Sequence, residues 1–125
     1  MQNSGSDGIP TKSGSPIPHK ADSKRVYTAK VSRVIDGDTI DCSVDLGFFV
    51  FILCRFRLAR INAPEIQTSS GKELKEKLRD IEGVDCRVES SGRDRYGRWV
   101  AEIFLNDRGN LSDWLLELGL VAHYV

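Results

Sequence analysis

Arg57-Leu58-Ala59-Arg60-Ile61-Asn62-Ala63-Pro64-Glu65 marks the place where a run of strands gives way to something else. Phe56, Leu58 and Arg60 alternate there with Arg57, Ala59 and Ile61 at period two, which predicts a strand. The pattern breaks at Ala63-Pro64, because proline has no N–H for a ladder and pushes the residue before it toward extended conformations. A guanidinium, an amide oxygen and a carboxylate therefore leave a rigid strand within a few residues of one another. Mixed charges often end surface strands, so the meaning of the stretch depends on its surroundings.

Upstream, Tyr27, Ala29 and Val31 alternate with Thr28, Lys30 and Ser32, predicting a first strand from about Arg25 to Val34 or Ile35. Asp36-Gly37 is a turn signal. Ile40, Cys42, Val44 and Leu46 then alternate with Asp41, Ser43 and Asp45 as a second strand. Gly47 reverses the chain into a third, running from Phe48 to Arg57 and on to Ile61. Its block Phe49-Val50-Phe51-Ile52-Leu53 is too apolar for a strand with one wet face. Either both faces are covered or the hairpin tip meets another subunit, and coverage is the expectation.

Downstream, Ser70 and Glu73 have capping-box spacing, and Leu74, Leu78 and Ile81 make a helical stripe that Gly83 ends. Val84, Cys86 and Val88 predict a fourth strand. A polar loop from Ser90 to Arg95 leads to a fifth, Trp99 to Leu105. Asn110 caps a final helix with the stripe Leu111, Leu115 and Leu118, closed by Gly119. Three strands, a helix, two strands and a helix predict an α+β fold: a five-stranded OB-fold Greek-key β-barrel with two packed helices.

The 125 residues suit one domain. Residues 1–22, rich in Ser, Gly and Pro, are expected to be a disordered tail, and 23–125 the folded domain. No apolar run approaches the roughly 20 residues of a membrane span, and the start lacks the apolar core of a secretory signal. A cytoplasmic monomer with no membrane partner is the expectation. Cys42, Cys54 and Cys86 are odd in number and lack metal spacing, which predicts free thiols. Eighteen basic residues balance eighteen acidic ones, which argues against a nonspecific nucleic-acid coat. Arginines do cluster, at Arg55, Arg57 and Arg60 and at Arg87, Arg93, Arg95 and Arg98, and a planar guanidinium grips phosphate at two points. His19 and His123 have no motif partner, so neither a triad nor a zinc site is supported.

Two further motifs carry chemistry. Asp36-Gly37-Asp38-Thr39 sets two carboxylates around a glycine, which suits a hard cation, calcium or magnesium, although most such turns bind nothing. Asp94-Arg95-Tyr96-Gly97-Arg98 ends a loop in an arginine able to sit over an anion, with Tyr96 as a stacking face.

Taken together and in chain order, Asp36–Thr39, Arg57–Glu65 and Asp94–Arg98, the three motifs resemble those of the staphylococcal nuclease (thermonuclease) family. The end Leu118-Gly119-Leu120-Val121 with Tyr124 is similar to that family's last segment, so the resemblance covers about residues 25–125. It implies an OB barrel and calcium-dependent hydrolysis of phosphodiester bonds in DNA and/or RNA. It implies Arg57 and Arg98 as the arginines on the scissile phosphate and Glu65 as general base. Asp38, Asn62 and the backbone carbonyl of Ala63 become the Ca2+ ligands, and Arg95, Tyr96 and Tyr124 the substrate contacts. Three departures stand out. Asn62 occupies a position where the best-known members have an aspartate, which implies a weaker metal site. The hairpin from Asp38 to Arg57 is longer than in the best-known member, and that member's third helix has no counterpart before Val125. The alternative is a noncatalytic nucleic-acid- or protein-binding module on the same barrel.

Overall fold

A computed structural model describes residues 25–124; the expected tail, residues 1–22, lies outside the described residues. Five strands form the body: β1 (Arg25–Asp36), β2 (Thr39–Gly47), β3 (Val50–Leu58), β5 (Asp85–Arg93) and β6 (Trp99–Leu105). Between them lie β4 (Ile61–Asn62), α1 (Ser69–Leu78) and a 3-10 turn (Arg79–Ile81). After them come β7 (Gly109–Asn110), α2 (Leu111–Glu117) and β8 (Ala122–His123). The strands run antiparallel in the order β3-β2-β1-β5-β6. A short parallel pairing of Phe56, Arg57 and Leu58 with Trp99, Val100 and Ala101 closes the sheet on itself. The result is the five-stranded barrel with two helices expected from the sequence.

Inward-facing residues fill the barrel, among them Val31, Ile40, Val88 and Ile103. Leu74, Leu78 and Ile81 seal one side from α1 and the turn after it, as their spacing predicts. Leu111 and Leu115 of α2 are fully buried, but Leu118, expected to continue that stripe, is 46% exposed. Cys42, Cys54 and Cys86 are free thiols, as expected.

Four local expectations are corrected. The third strand stops at Leu58, not Ile61, because Arg60 adopts a left-handed φ of 71° that kinks the chain. The kink resets the alternation, so Ile61 turns into the core and β4 pairs with β8. Helix α1 is capped by Thr68 rather than Ser70: the Thr68 hydroxyl accepts from Gly71 N at 3.0 Å and donates to Glu65 O at 2.6 Å. Strand β5 runs on to Arg93, through part of the expected loop. Finally, the block from Phe48 to Leu53 is not covered among the described residues. Phe48 and Phe49 are both 97% exposed, because the hairpin projects past the barrel wall.

Candidate nuclease site

Four chain segments bring the site together at one rim of the barrel, one of them Tyr124 just past β8. The turn between β1 and β2 carries Asp36 and Asp38, and Gly37 lets it lie flat on α1. A Cβ at Gly37 would come within 2.3 Å of Leu74 Cδ2. The end of β3 supplies Arg57, and the segment after the kink supplies Asn62, Ala63 and Glu65. The loop between β5 and β6 supplies Tyr96 and Arg98.

Arg57 is only 7% exposed and is held on several sides. One Nη donates to Leu58 O at 2.9 Å, and the other to Asn62 Oδ1 at 2.8 Å. Asp38 Oδ2 lies 3.6 Å from Nη1, and the Tyr124 ring stands beneath the guanidinium at 5.3 Å. Asp38 is itself tied down. Its Oδ2 accepts from Ala63 N at 3.0 Å, and its Oδ1 accepts from the Thr39 hydroxyl at 3.2 Å.

Burial works against the charge on both aspartates, with opposite outcomes. For Asp38 it is outweighed by hydrogen bonds involving Asp36, Ala63 N and Thr39 and by the charge of Arg57, so its carboxyl stays below the usual range. Asp36 is pushed up by burial and by the neighbouring Asp38. Of the two, Asp38 holds the negative charge and Asp36 takes a proton first.

The distal loop is built by Asp94. Its Oδ1 accepts from Tyr96 N and Arg98 N, each at 2.9 Å, and its Oδ2 accepts from Arg98 Nε at 2.8 Å. This arrangement spends only Nε of Arg98, and among the described residues the four N–H groups of its Nη edge make no hydrogen bond. The carboxylate of Glu65 makes no hydrogen bond or ion pair among the described residues, while its backbone carbonyl is gripped by Thr68 N at 3.0 Å.

Asp38, Arg57, Asn62, Ala63, Glu65, Tyr96, Arg98 and Tyr124 all line one polar cleft of about 550 Å³. Arg95, the ninth expected site residue, does not line it; its guanidinium lies over the Tyr96 ring at 5.1 Å and meets the phenol oxygen. A cleft of about 610 Å³ between α1 and Gly119-Leu120 is slightly larger but gathers no comparable constellation. The other arginines of the two clusters are otherwise engaged. Arg55 is paired with Asp41, Arg60 with Glu102 and Asp113, and Arg87 with Glu89, while Arg93 lies over the Trp99 ring at 4.6 Å. Asp36, paired with Asp38 in the sequence but not placed among the metal ligands, lines the cleft as well, and Asp94 was not foreseen as the brace of Arg98. An aspartate opening a tight Gly-containing loop is the signal that marks Asp94, because its side chain can bond backbone N–H groups two and more residues on.

A model of the family described as staphylococcal nuclease homologue matches residues 55–125. The chain belongs to the staphylococcal nuclease homologue family. Several of its relatives carry nuclease names. It is 32% identical over 96 residues to an uncharacterized endonuclease of Escherichia coli O157:H7, covering 76% of this chain and 60% of that protein. It is 33% identical over 79 residues to a micrococcal nuclease of Shigella flexneri, covering 62% and 42%. With the staphylococcal-like nuclease CAN1 of Arabidopsis thaliana it shares 38% over 72 residues, covering 57% and 22%. The chain thus spans about three fifths or less of the length of these relatives. Within this staphylococcal nuclease homologue the matched span begins at Arg55, so it includes Arg57, Glu65 and Arg98 and leaves Asp36 to Thr39 upstream.

Proposed function

We propose that this chain is a calcium-dependent nuclease that hydrolyses phosphodiester bonds of DNA and/or RNA with little sequence specificity. One observation carries the reading: a buried, braced Arg57 and a braced Arg98 share a cleft with the unengaged carboxylate of Glu65.

Arg57 spends two of its five N–H groups on Leu58 O and Asn62, which leaves three for a phosphate. Arg98 offers its Nη edge as a second fork. Two fixed guanidinium groups favour the transition state over the ground state, because a five-coordinate phosphorus carries more negative charge than the diester. Glu65 takes the proton of the attacking water as the new P–O bond forms, and the departing oxygen collects a proton from solvent. Tyr96 and Tyr124, both exposed, give flat faces for bases or sugars beside the cleft.

The donor set fits a hard cation. Asp38, the Asn62 amide and the Ala63 carbonyl offer oxygen alone, and Asp38 keeps its charge at neutral pH. A bound calcium would add positive charge opposite the charge that builds on the phosphorus oxygens.

Incubating the protein with single-stranded DNA and with RNA, in calcium and then in chelator, tests the reading. Cleavage in calcium that chelator abolishes is the expected result. Equal, negligible cleavage in both overturns it in favour of the noncatalytic module, for which Glu65→Gln would change nothing measurable.

A further inference from the structure

Strand β3 pairs with β2 from Val50 to Arg57, yet on its other edge it meets β6 only at Phe56, Arg57 and Leu58. Among the described residues, the outer edge from Val50 to Arg55 has no strand partner, so its free N–H and C=O groups face out. Exposed edges are usually protected by lysine, proline or a bulge. Here Val50, Phe51, Ile52 and Leu53 are 49%, 57%, 44% and 68% exposed, and no Lys or Arg occurs between Cys42 and Cys54. The tip is equally unusual. Phe48 and Phe49 form a two-residue hairpin loop with φ of 56° and 62°, where Asn-Gly would sit without strain. At the base of the same hairpin, Val44, Ile52, Cys54, Phe56 and Trp99 line an apolar cleft of about 180 Å³. An apolar cavity of about 150 Å³ accepts benzene, so this one has room for a phenyl ring.

We propose that the β3 edge pairs antiparallel with β3 of a second copy of this chain, each hairpin tip docking at the other's apolar cleft. A two-fold axis through Ile52 sets Val50 against Cys54 of the partner subunit, so the new pairing stays within the free edge and stops short of Phe56, where β6 is already paired. The tip of one hairpin then lies over the cleft of the other, and one operation covers edge, tip and cleft together. The area is adequate. The two tip phenylalanines present on the order of 300–500 Å², and Val50 to Leu53 extend the patch toward the ~800 Å² per partner of a stable interface. A lipid surface is the poorer occupant, because it leaves the edge amides unpaired and finds no cation on the hairpin tip to draw it in. Zero net charge removes the repulsion that would hold two copies apart. In this proposal a dimer replaces the monomer expected from the sequence.

Sedimentation velocity of the full chain over a wide concentration range tests the proposal. The expected result is a reversible shift from one chain's mass to two. Amides between Val50 and Arg55 should gain hydrogen-exchange protection as the dimer fills. Phe48→Asn with Phe49→Gly supplies the turn's preferred residues, so folding is kept while association weakens at least tenfold. One chain's mass at every concentration overturns the proposal. So does a dimer that the paired substitution leaves unchanged, or whose edge amides gain no protection. Monomeric protein that binds neutral lipid vesicles through the tip overturns it in favour of a membrane.

Discussion

Arg57 combines near-complete burial with unspent hydrogen-bonding capacity, and each has a measurable consequence. Arg57→Lys keeps the charge but loses the fork. It should lower kcat/KM by about 100-fold or more and cost roughly 1–3 kcal/mol by leaving Leu58 O or Asn62 without a donor. Steady-state cleavage and denaturant unfolding check the two effects separately. Asn62→Asp restores a charged oxygen beside Asp38, and calorimetry should show tighter calcium binding than in the parent. Asp38 sets a pH signature. Its folded pKa lies below its unfolded value near 3.8, so its contribution to stability is complete above that value and is lost as pH falls through the folded one. Metal-free Asp38→Asn should therefore melt below the parent at neutral pH, and the two curves should converge under strong acid. The resemblance of the three motifs to one family made Asp38, Arg57, Glu65 and Arg98 legible in the sequence, where the spacing of each motif alone carried little weight. The burial of Arg57 was not legible, because Asn62 and Tyr124 reach it only through the kink at Arg60 and the pairing of β4 with β8.

Helix α1 matters less for its own contacts than for what its first turn holds. A Cβ at Gly71 would come within 1.9 Å of Glu65 O. Alanine normally stabilises a helix interior over glycine by about 0.5–1 kcal/mol, but here it forces the helix start away from the segment bearing Glu65. Gly71→Ala should lower both Tm and kcat, whereas calcium affinity at Asp38 should change less. Thermal melts and metal titration of the same variant show the split. The stripe Leu74, Leu78 and Ile81 was readable because burial at helical spacing is a local property. The cap was not: Ser70 and Thr68 are both good caps by type, and only the return of the chain past Glu65 chooses Thr68. The apolar hairpin was misjudged for a similar reason, since alternation reports what a strand is made of and not how far it projects.

At the scale of the molecule, the barrel depends on a short parallel seam between β3 and β6. Ala59 N donates to Ala101 O at 2.9 Å just past it, and the hydroxyl of the fully buried Ser112 in α2 donates to Ala59 O at 2.8 Å. Ser112→Ala should cost about 1–2 kcal/mol through the orphaned carbonyl and speed exchange of the Ala59 amide relative to Ile103. Native-state hydrogen exchange reads both. Strand count and order were legible because turns and alternation are local. The seam was not, because a parallel register between residues some forty apart leaves no periodic trace, and Ser112 reads as one more polar helix residue.

The seam also fixes when the molecule becomes capable of anything. Arg57 stands directly across from Val100, two residues beyond Arg98, so the strand pairing that shuts the barrel is also what brings the two arginines to one cleft. Tyr124, beneath Arg57, arrives later still. During synthesis the chain therefore presents Asp36, Asp38 and Arg57 before Arg98 exists to share their cleft. If RNA is among its substrates, the transcript being read is safe from the protein it encodes until almost all of residues 25–124 have cleared the ribosome.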